Sequence, residues 1–207
     1  MKPTTRILIA DDHAVVRMGL ASLLGTQDGL EVVGDAEDGE AAVAKALELK
    51  PDVIIMDLMM PKKDGAEATA EIHAALPNTK ILILTTFGTS DGIANALNAG
   101  ATGALMKNAP NAQLVEAIRT IANGGRAVSE DVERLMEEDP PVKALTPRQM
   151  EILEGLTRGL TNQDIAKELG IREDRVKDHV NAIFSRLNAA NRTEAVAIAM
   201  RKYLLKK

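Results

Sequence analysis

Five residues stand directly after, or at the end of, short apolar runs in the first part of the chain. Asp11 and Asp12 follow "RILIA", Asp57 follows "DVIIM", Thr85 closes "KILILT" and Lys107 follows "GALM". Three carboxylates brought together cannot all stay ionised without a compensating cation. Hard oxygen donors of this kind suit Mg²⁺, which takes one or two carboxylates, waters and a phosphate oxygen. The Thr85 hydroxyl and the Lys107 ammonium suit phosphoryl oxygens. A carboxylate beside Mg²⁺, a Lys and a Thr can attack a phosphoryl group and form an aspartyl-phosphate. Asp57 is the candidate acceptor, because a carboxylate at the end of a fully apolar run is costly unless it is paired or used. Singly, each residue has a plainer role: an Asp pair after a strand often caps a helix, and a strand-end Lys or Thr is often structural. Their order along successive runs carries the argument.

The apolar runs must then be strands of one sheet. Candidates are 6–10, 30–36, 52–56, 80–85 and 103–106, with amphipathic helical patterns near 14–25, 38–48, 65–75, 91–98 and 111–123. This alternation predicts an α/β doubly wound, five-stranded parallel sheet with helices on both faces. In such sheets ligands bind beyond the carboxyl ends of the strands. Asp11, Asp12 and Asp57 converge there if the first and third strands are neighbours.

The remainder reads differently. Residues 123–143 hold a Gly pair, an acidic run and a Pro pair. We expect a first domain over 1–124, a linker over 125–143 with one short helix near 130–137, and a small all-α domain over 144–207. Four helices are expected there, at 147–158, 162–169, 173–187 and 192–204. Thr146, Pro147 and Gln149 form a capping box, and Gly170 follows the second helix where a left-handed residue is wanted. A short helix, a Gly turn and a longer helix is the helix-turn-helix pattern.

Charge divides along the same line. Residues 1–143 carry 13 Lys and Arg against 22 Asp and Glu, whereas 144–207 carry 12 against 8. An acidic front and a basic tail point to different partners. The chain has no Cys, which excludes disulfides, thiolate metal sites and Cys nucleophiles and fits a cytoplasmic location. No apolar run approaches the roughly 18 residues of a membrane span, and the opening "MKPTTRILIADD" reaches acids too soon for a signal peptide. Two Phe, one Tyr and no Trp leave almost nothing for base stacking. His13 reads as a surface residue at a helix start, and the nine Met as core filler.

On these residues the chain resembles a bacterial two-component response regulator of the NarL/FixJ class. "ILIADDH", "DVIIMDLMMPKKDG", "ILILTTF" and "ALMK" are similar to receiver motifs, and "LTPRQMEILEGLTRGLTNQDIAKELGIREDRVKDHVNAIFSRLNAANRTEAVAIA" to the LuxR-type helix-turn-helix. The resemblance implies phosphorylation of Asp57 by a sensor histidine kinase. It implies Mg²⁺ held by Asp12, Asp57 and the Met59 carbonyl, with Asp11 through water. Lys107 would pair with the phosphoryl group, Thr85 would follow it as the switch hydroxyl, and Pro61 and Gly65 would shape the loop. Ala104 stands where similar receivers carry an aromatic switch residue, so Thr85 and residues 86–91 are expected to carry the change. Arg172 and Arg175 stand where a Ser or Thr N-cap and a Thr are expected.

For the tail, Val176, Val180, Ile183 and Leu187 form one apolar stripe. On double-stranded promoter DNA, Lys177 can bind guanine or phosphate and Asn181 adenine, and Asp178 either accepts from cytosine or is a solvated charge that repels phosphate; Lys167, Arg175, Arg192 and the terminal "RKYLLKK" are left to bind phosphates. Glu173, Asp174 and Asp178 cancel the positive charge of the reading helix. Val196, Ala199, Met200 and Tyr203 share one side of the last helix; in similar proteins this helix forms the dimer contact. Dimerisation is expected on phosphorylation. An aspartyl-phosphate phosphatase needs a second acid at position 59, which is Met59, so turnover of external substrates is not expected. The alternative is a phosphorylation-independent or interaction-only regulator with weakened DNA binding.

Overall fold

The chain's structure, a computed structural model, describes residues 4–86, 90–202, 204 and 205. They form two compact units, dividing between Pro140 and Pro141.

In the first unit the apolar runs become β1 (Thr5–Ala10), β2 (Leu30–Ala36), β3 (Val53–Met56), β4 (Lys80–Thr85) and β5 (Gly103–Met106). A further short strand, β6 (Ala127–Val128), extends the sheet to the order β2-β1-β3-β4-β5-β6, all parallel. Between the strands lie α1 (Ala14–Gly25), α2 (Gly39–Leu49), α3 (Gly65–Ala75), α4 (Ser90–Asn98) and α5 (Asn111–Ala122); α6 (Glu130–Glu138) follows β6. Alternate strand residues point to opposite faces. Leu8, Ile54, Met56, Ile81 and Ile83 pack with Val43, Ala46, Ala68, Ile72 and Ile93 of α2, α3 and α4. Ile7, Ile9, Val53, Ile55, Leu82 and Leu84 pack with Leu24 of α1 and Leu114, Ile118 and Ile121 of α5. The strands read as unbroken apolar runs because helices cover both faces.

Two expectations need correcting. The sheet has six strands rather than five, because Gly103 and Ala104 pair with Ala127 and Val128. Most of the expected 125–143 linker is therefore built into the first unit. Val132 of α6 is fully buried with Ala104 and Ile93, and Leu135 and Met136 pack against the same cluster. Only residues 139–146 run between α6 and the next helix without helix or strand.

The second unit comprises α7 (Pro147–Thr157), α8 (Asn162–Leu169), α9 (Glu173–Leu187) and α10 (Arg192–Arg201). Thr146 and Gln149 form the expected capping box, and Thr161 with Asp164 forms another. Gly170 closes α8 at φ 64°, and the next helix starts three residues later, giving the α8–turn–α9 helix-turn-helix. Arg172 is the N-cap of α9 and its side chain makes no cap hydrogen bond. The apolar stripe of α9 meets Ile152, Leu153, Leu156, Ile165, Ile198 and Ala199 in one core.

Candidate functional site

β1 runs beside β3 in register, Ala10 opposite Met56, so the residues just beyond these ends come together. The Asp57 amide donates to the Ala10 carbonyl at 2.8 Å, and the Asp11 amide to the Ala36 carbonyl at 3.1 Å. These backbone bonds hold Asp11 and Asp57 at the carboxyl edge, where both are buried, 2% and 4% exposed. Ligand atoms of Asp11, Asp12, His13 and Asp57 lie within 4.8 Å of one another. His13 is exposed and heads α1, as expected for its position. Its Nδ1 lies 2.6 Å from Oδ1 of Asp12, its neighbour in sequence.

Lys107 follows β5 and reaches across β4. Its Nζ lies 2.5 Å from Asp11 Oδ2 and donates to Asp57 Oδ2 at 2.9 Å. Its backbone amide donates to the Thr85 carbonyl at 2.8 Å, tying it to the end of β4, where Thr85 is buried. Burial pushes the Asp57 carboxyl above its ordinary range, and the Lys107 hydrogen bond opposes this without cancelling it. Burial alone would lower the Lys107 ammonium, but hydrogen bonds to Asp11 and Asp57 hold it above its ordinary value. The single ammonium thus offsets part of the repulsion between two buried carboxylates. The three carboxylates converging on one point are a hard oxygen donor set that fits a small divalent cation.

Met59 lies in the β3–α3 loop with its side chain 51% exposed. The loop is tight. A Cβ on Gly65 would lie 2.0 Å from the Asp57 carbonyl oxygen, so only glycine fits there. Lys62 has φ 65° and its Nζ sits 2.6 Å from Asp38 Oδ2. Such a backbone for a non-glycine residue costs about 1–3 kcal/mol. Lys62 was not singled out from sequence, because a lysine carries no signal for positive φ.

In the second unit Arg175, Lys177, Asp178 and Asn181 are exposed on α9, and Lys167 is exposed in the last turn of α8. Lys177 Nζ is paired along its own helix with Glu173 at 3.0 Å and Asp174 at 3.6 Å. Arg175 lies 4.0 Å from Asp178. Arg192, expected at phosphates, is engaged otherwise. Its Nη2 donates to the carbonyls of Leu156 at 3.1 Å and Leu160 at 2.6 Å, beyond which α7 has no partners to give. On α10, Val196 is half-buried and Met200 is 67% exposed, but Ala199 belongs to the core. The expected shared face is thus split. Tyr203 and residues 87–89 of the 86–91 segment lie outside the described residues. Among the described residues, no helix is long and apolar enough to cross a membrane.

Comparison with known proteins agrees with this division. Residues 7–119 match the response regulator receiver domain, and residues 143–199 match the bacterial regulatory proteins of the luxR family. The chain is 40% identical to the transcriptional regulatory protein LiaR of Bacillus subtilis, over 97% of this chain and 99% of that protein. It is 38% identical to the response regulator ChrA of a heme-sensing two-component system, with a TM-score of 0.58 over 98% of this chain and 99% of that one. RcsB of Salmonella enterica serovar Typhimurium, solved bound to a promoter with the phosphomimetic BeF₃⁻, is 25% identical. Its TM-score is 0.71 over 96% of this chain and 98% of that one. A receiver whose acidic edge closes on one lysine, followed by a luxR-family helix-turn-helix, places this chain in the response regulator family.

Proposed function

We propose that Asp57 accepts a phosphoryl group from a sensor histidine kinase, and that the phosphorylated chain dimerises on double-stranded promoter DNA to regulate transcription. One observation carries the phosphorylation reading: the Lys107 ammonium bridges Asp11 and Asp57, 2.5 and 2.9 Å away, at the carboxyl edge of the sheet. Asp11, Asp12, Asp57 and the Met59 carbonyl would hold Mg²⁺. When bound, the ion would offset part of the negative charge of the carboxylates and the phosphoryl oxygens. An oxygen of Asp57 attacks phosphorus, the bond from phosphorus to the kinase imidazole nitrogen breaks, and its electron pair stays on that nitrogen. Lys107 turns its donors from the carboxylates to the phosphoryl oxygens, and the Thr85 hydroxyl follows as the switch. With Met59 where a second acid would stand, the chain is a regulator rather than an enzyme.

On DNA, α9 enters the major groove. Lys177 and Asn181 reach base edges, Asp178 accepts from cytosine or repels phosphate, and Lys167 and Arg175 contact the backbone. Val196, Met200 and Tyr203 form the dimer contact. A kinase donor and promoter DNA as partners would require the chain in the cytoplasm. A second reading, a phosphorylation-independent regulator with weakened DNA binding, is favoured by the pairing of Lys177 with Glu173 and Asp174.

Intact mass after acetyl phosphate and Mg²⁺ tests the acceptor. The wild type should gain one phosphoryl group and Asp57→Asn none; an equal gain in both sinks the assignment. Selection from random DNA by the chain with and without beryllofluoride separates the two readings. Enrichment of one site that needs beryllofluoride supports the first; equal enrichment without it, or no enrichment in either case, supports the second.

A further inference from the structure

The loop behind the acceptor contains a strained turn with an anchor. Lys62 has φ 65°, and the Lys63 amide donates to the Pro61 carbonyl at 2.8 Å, closing a three-residue turn about Lys62. A positive φ at the centre of such a turn is rare and strained. It persists where the surroundings over-determine it. Here Lys62 Nζ sits 2.6 Å from Asp38 Oδ2, and Asp38 Oδ1 accepts the Ala41 amide at 2.7 Å as the N-cap of α2. Gly39, beside it, is pressed on the loop: a Cβ there would lie 2.1 Å from the Lys63 carbonyl oxygen. At the far end the Gly65 amide donates to the Leu58 carbonyl at 2.9 Å. Met59 lies within the stretch so held, and Asp57 directly precedes that stretch.

We propose that Lys62 is a positioning residue for the divalent-cation site: anchored on buried Asp38, it holds the strained turn that sets Asp57 and the Met59 backbone against Asp11 and Asp12. This rests on the reading of the acidic cluster as a Mg²⁺ site. An ammonium has no lone pair to give a metal, so Lys62 acts only through the loop. The sign of its effect is diagnostic. Removing a cation near a divalent ion strengthens metal binding by Coulomb's law. Releasing the loop weakens it, as loss of outer-shell support does.

Mn²⁺ shares the oxygen-donor preference of Mg²⁺ and is counted directly when free by electron paramagnetic resonance. Titration of the full chain with Mn²⁺ should give a Kd about tenfold weaker for Lys62→Met. Lys62→Arg should bind as the wild type does. Lys63→Met removes the same charge from the next residue, whose Nζ pairs with Glu71, and should not weaken binding. Asp38→Asn keeps an oxygen for the Ala41 amide and loses the ion pair, so it should reproduce Lys62→Met even if that variant fails to fold. Equal or tighter binding by Lys62→Met and Asp38→Asn overturns the proposal alone. A wild type that binds no Mn²⁺ overturns the reading of the cluster and the proposal with it.

Discussion

The backbone amide of Ser129 donates a 3.0 Å hydrogen bond to the carbonyl of Ala104. Ala104 occupies the place where similar receivers carry an aromatic ring, and Ser129 lies in the segment expected to be a linker. One strand pairing joins them, since Val128 stands opposite Ala104. Ser129 then caps α6 by accepting the Val132 amide. The chain that leads to the second unit is thus bonded to β5, the strand beside the one that ends in Thr85.

The anchoring of α6 rests on Val132, its one fully buried side chain, which packs against the Ala104 cluster. Val132→Ala should lower the stability of the first unit by about 2 kcal/mol through lost burial and the cavity left behind. Urea unfolding of the full chain reads this directly. A loss below about 0.5 kcal/mol would mean that α6 rests on the sheet without being part of its core.

Asp38 should give the receiver an acid limb. The Ala41 amide, and after it the Lys62 ammonium, hold its carboxyl below the ordinary 3.8. A group with a depressed folded-state pKa contributes stability above its unfolded value and loses it as pH falls through the folded one. Stability should therefore decline below about pH 4 in the wild type and less so in Asp38→Asn. Thermal melts of both across pH 3 to 7 would show the curves converging at low pH; parallel curves would exclude the linkage. Asp38→Ala also removes the cap and should cost about 1 kcal/mol at neutral pH.

Arg192 should behave as a structural cross-link. Its Nη2 serves two carbonyls, those of Leu156 and Leu160, around the end of α7. Arg192→Met should destabilise the second unit by about 1–2 kcal/mol. The slope of log affinity against log salt for DNA should stay unchanged. A slope reduced by about one ion would instead make Arg192 a phosphate contact.

Arg172 marks an unused gain. It is the N-cap of α9 and its side chain makes no cap hydrogen bond, whereas α7 and α8 both start with Thr capping boxes. Arg172→Ser should raise the stability of the second unit by about 1 kcal/mol. Calorimetry of the full chain is the check, and no upward shift in the melting of that unit would show that water already serves the free amides.

Much of this protein was legible from its residues alone. Periodicity located five strands and the helices between them, because burial on both faces leaves a continuous apolar run and burial on one face leaves a stripe. Thr146 and Gly170 announced their helix ends through local hydrogen bonding and left-handed backbone, and the strand-end position of Asp11, Asp57, Thr85 and Lys107 named the candidate site. Other features depended on contacts distant in sequence. That β1 lies beside β3, bringing Asp11 to Asp57, follows from strand order, which no local pattern encodes. A two-residue strand such as β6 is below any periodicity, and Val132, Leu135 and Met136 form a helical stripe whose partner only packing decides. Arg192 and Lys62 are long cations equally able to sit in solvent, and their carbonyl and carboxylate partners lie 24 to 36 residues away. The tertiary structure made those choices, because a flexible charged side chain takes its role from whichever unsatisfied group the fold brings within reach.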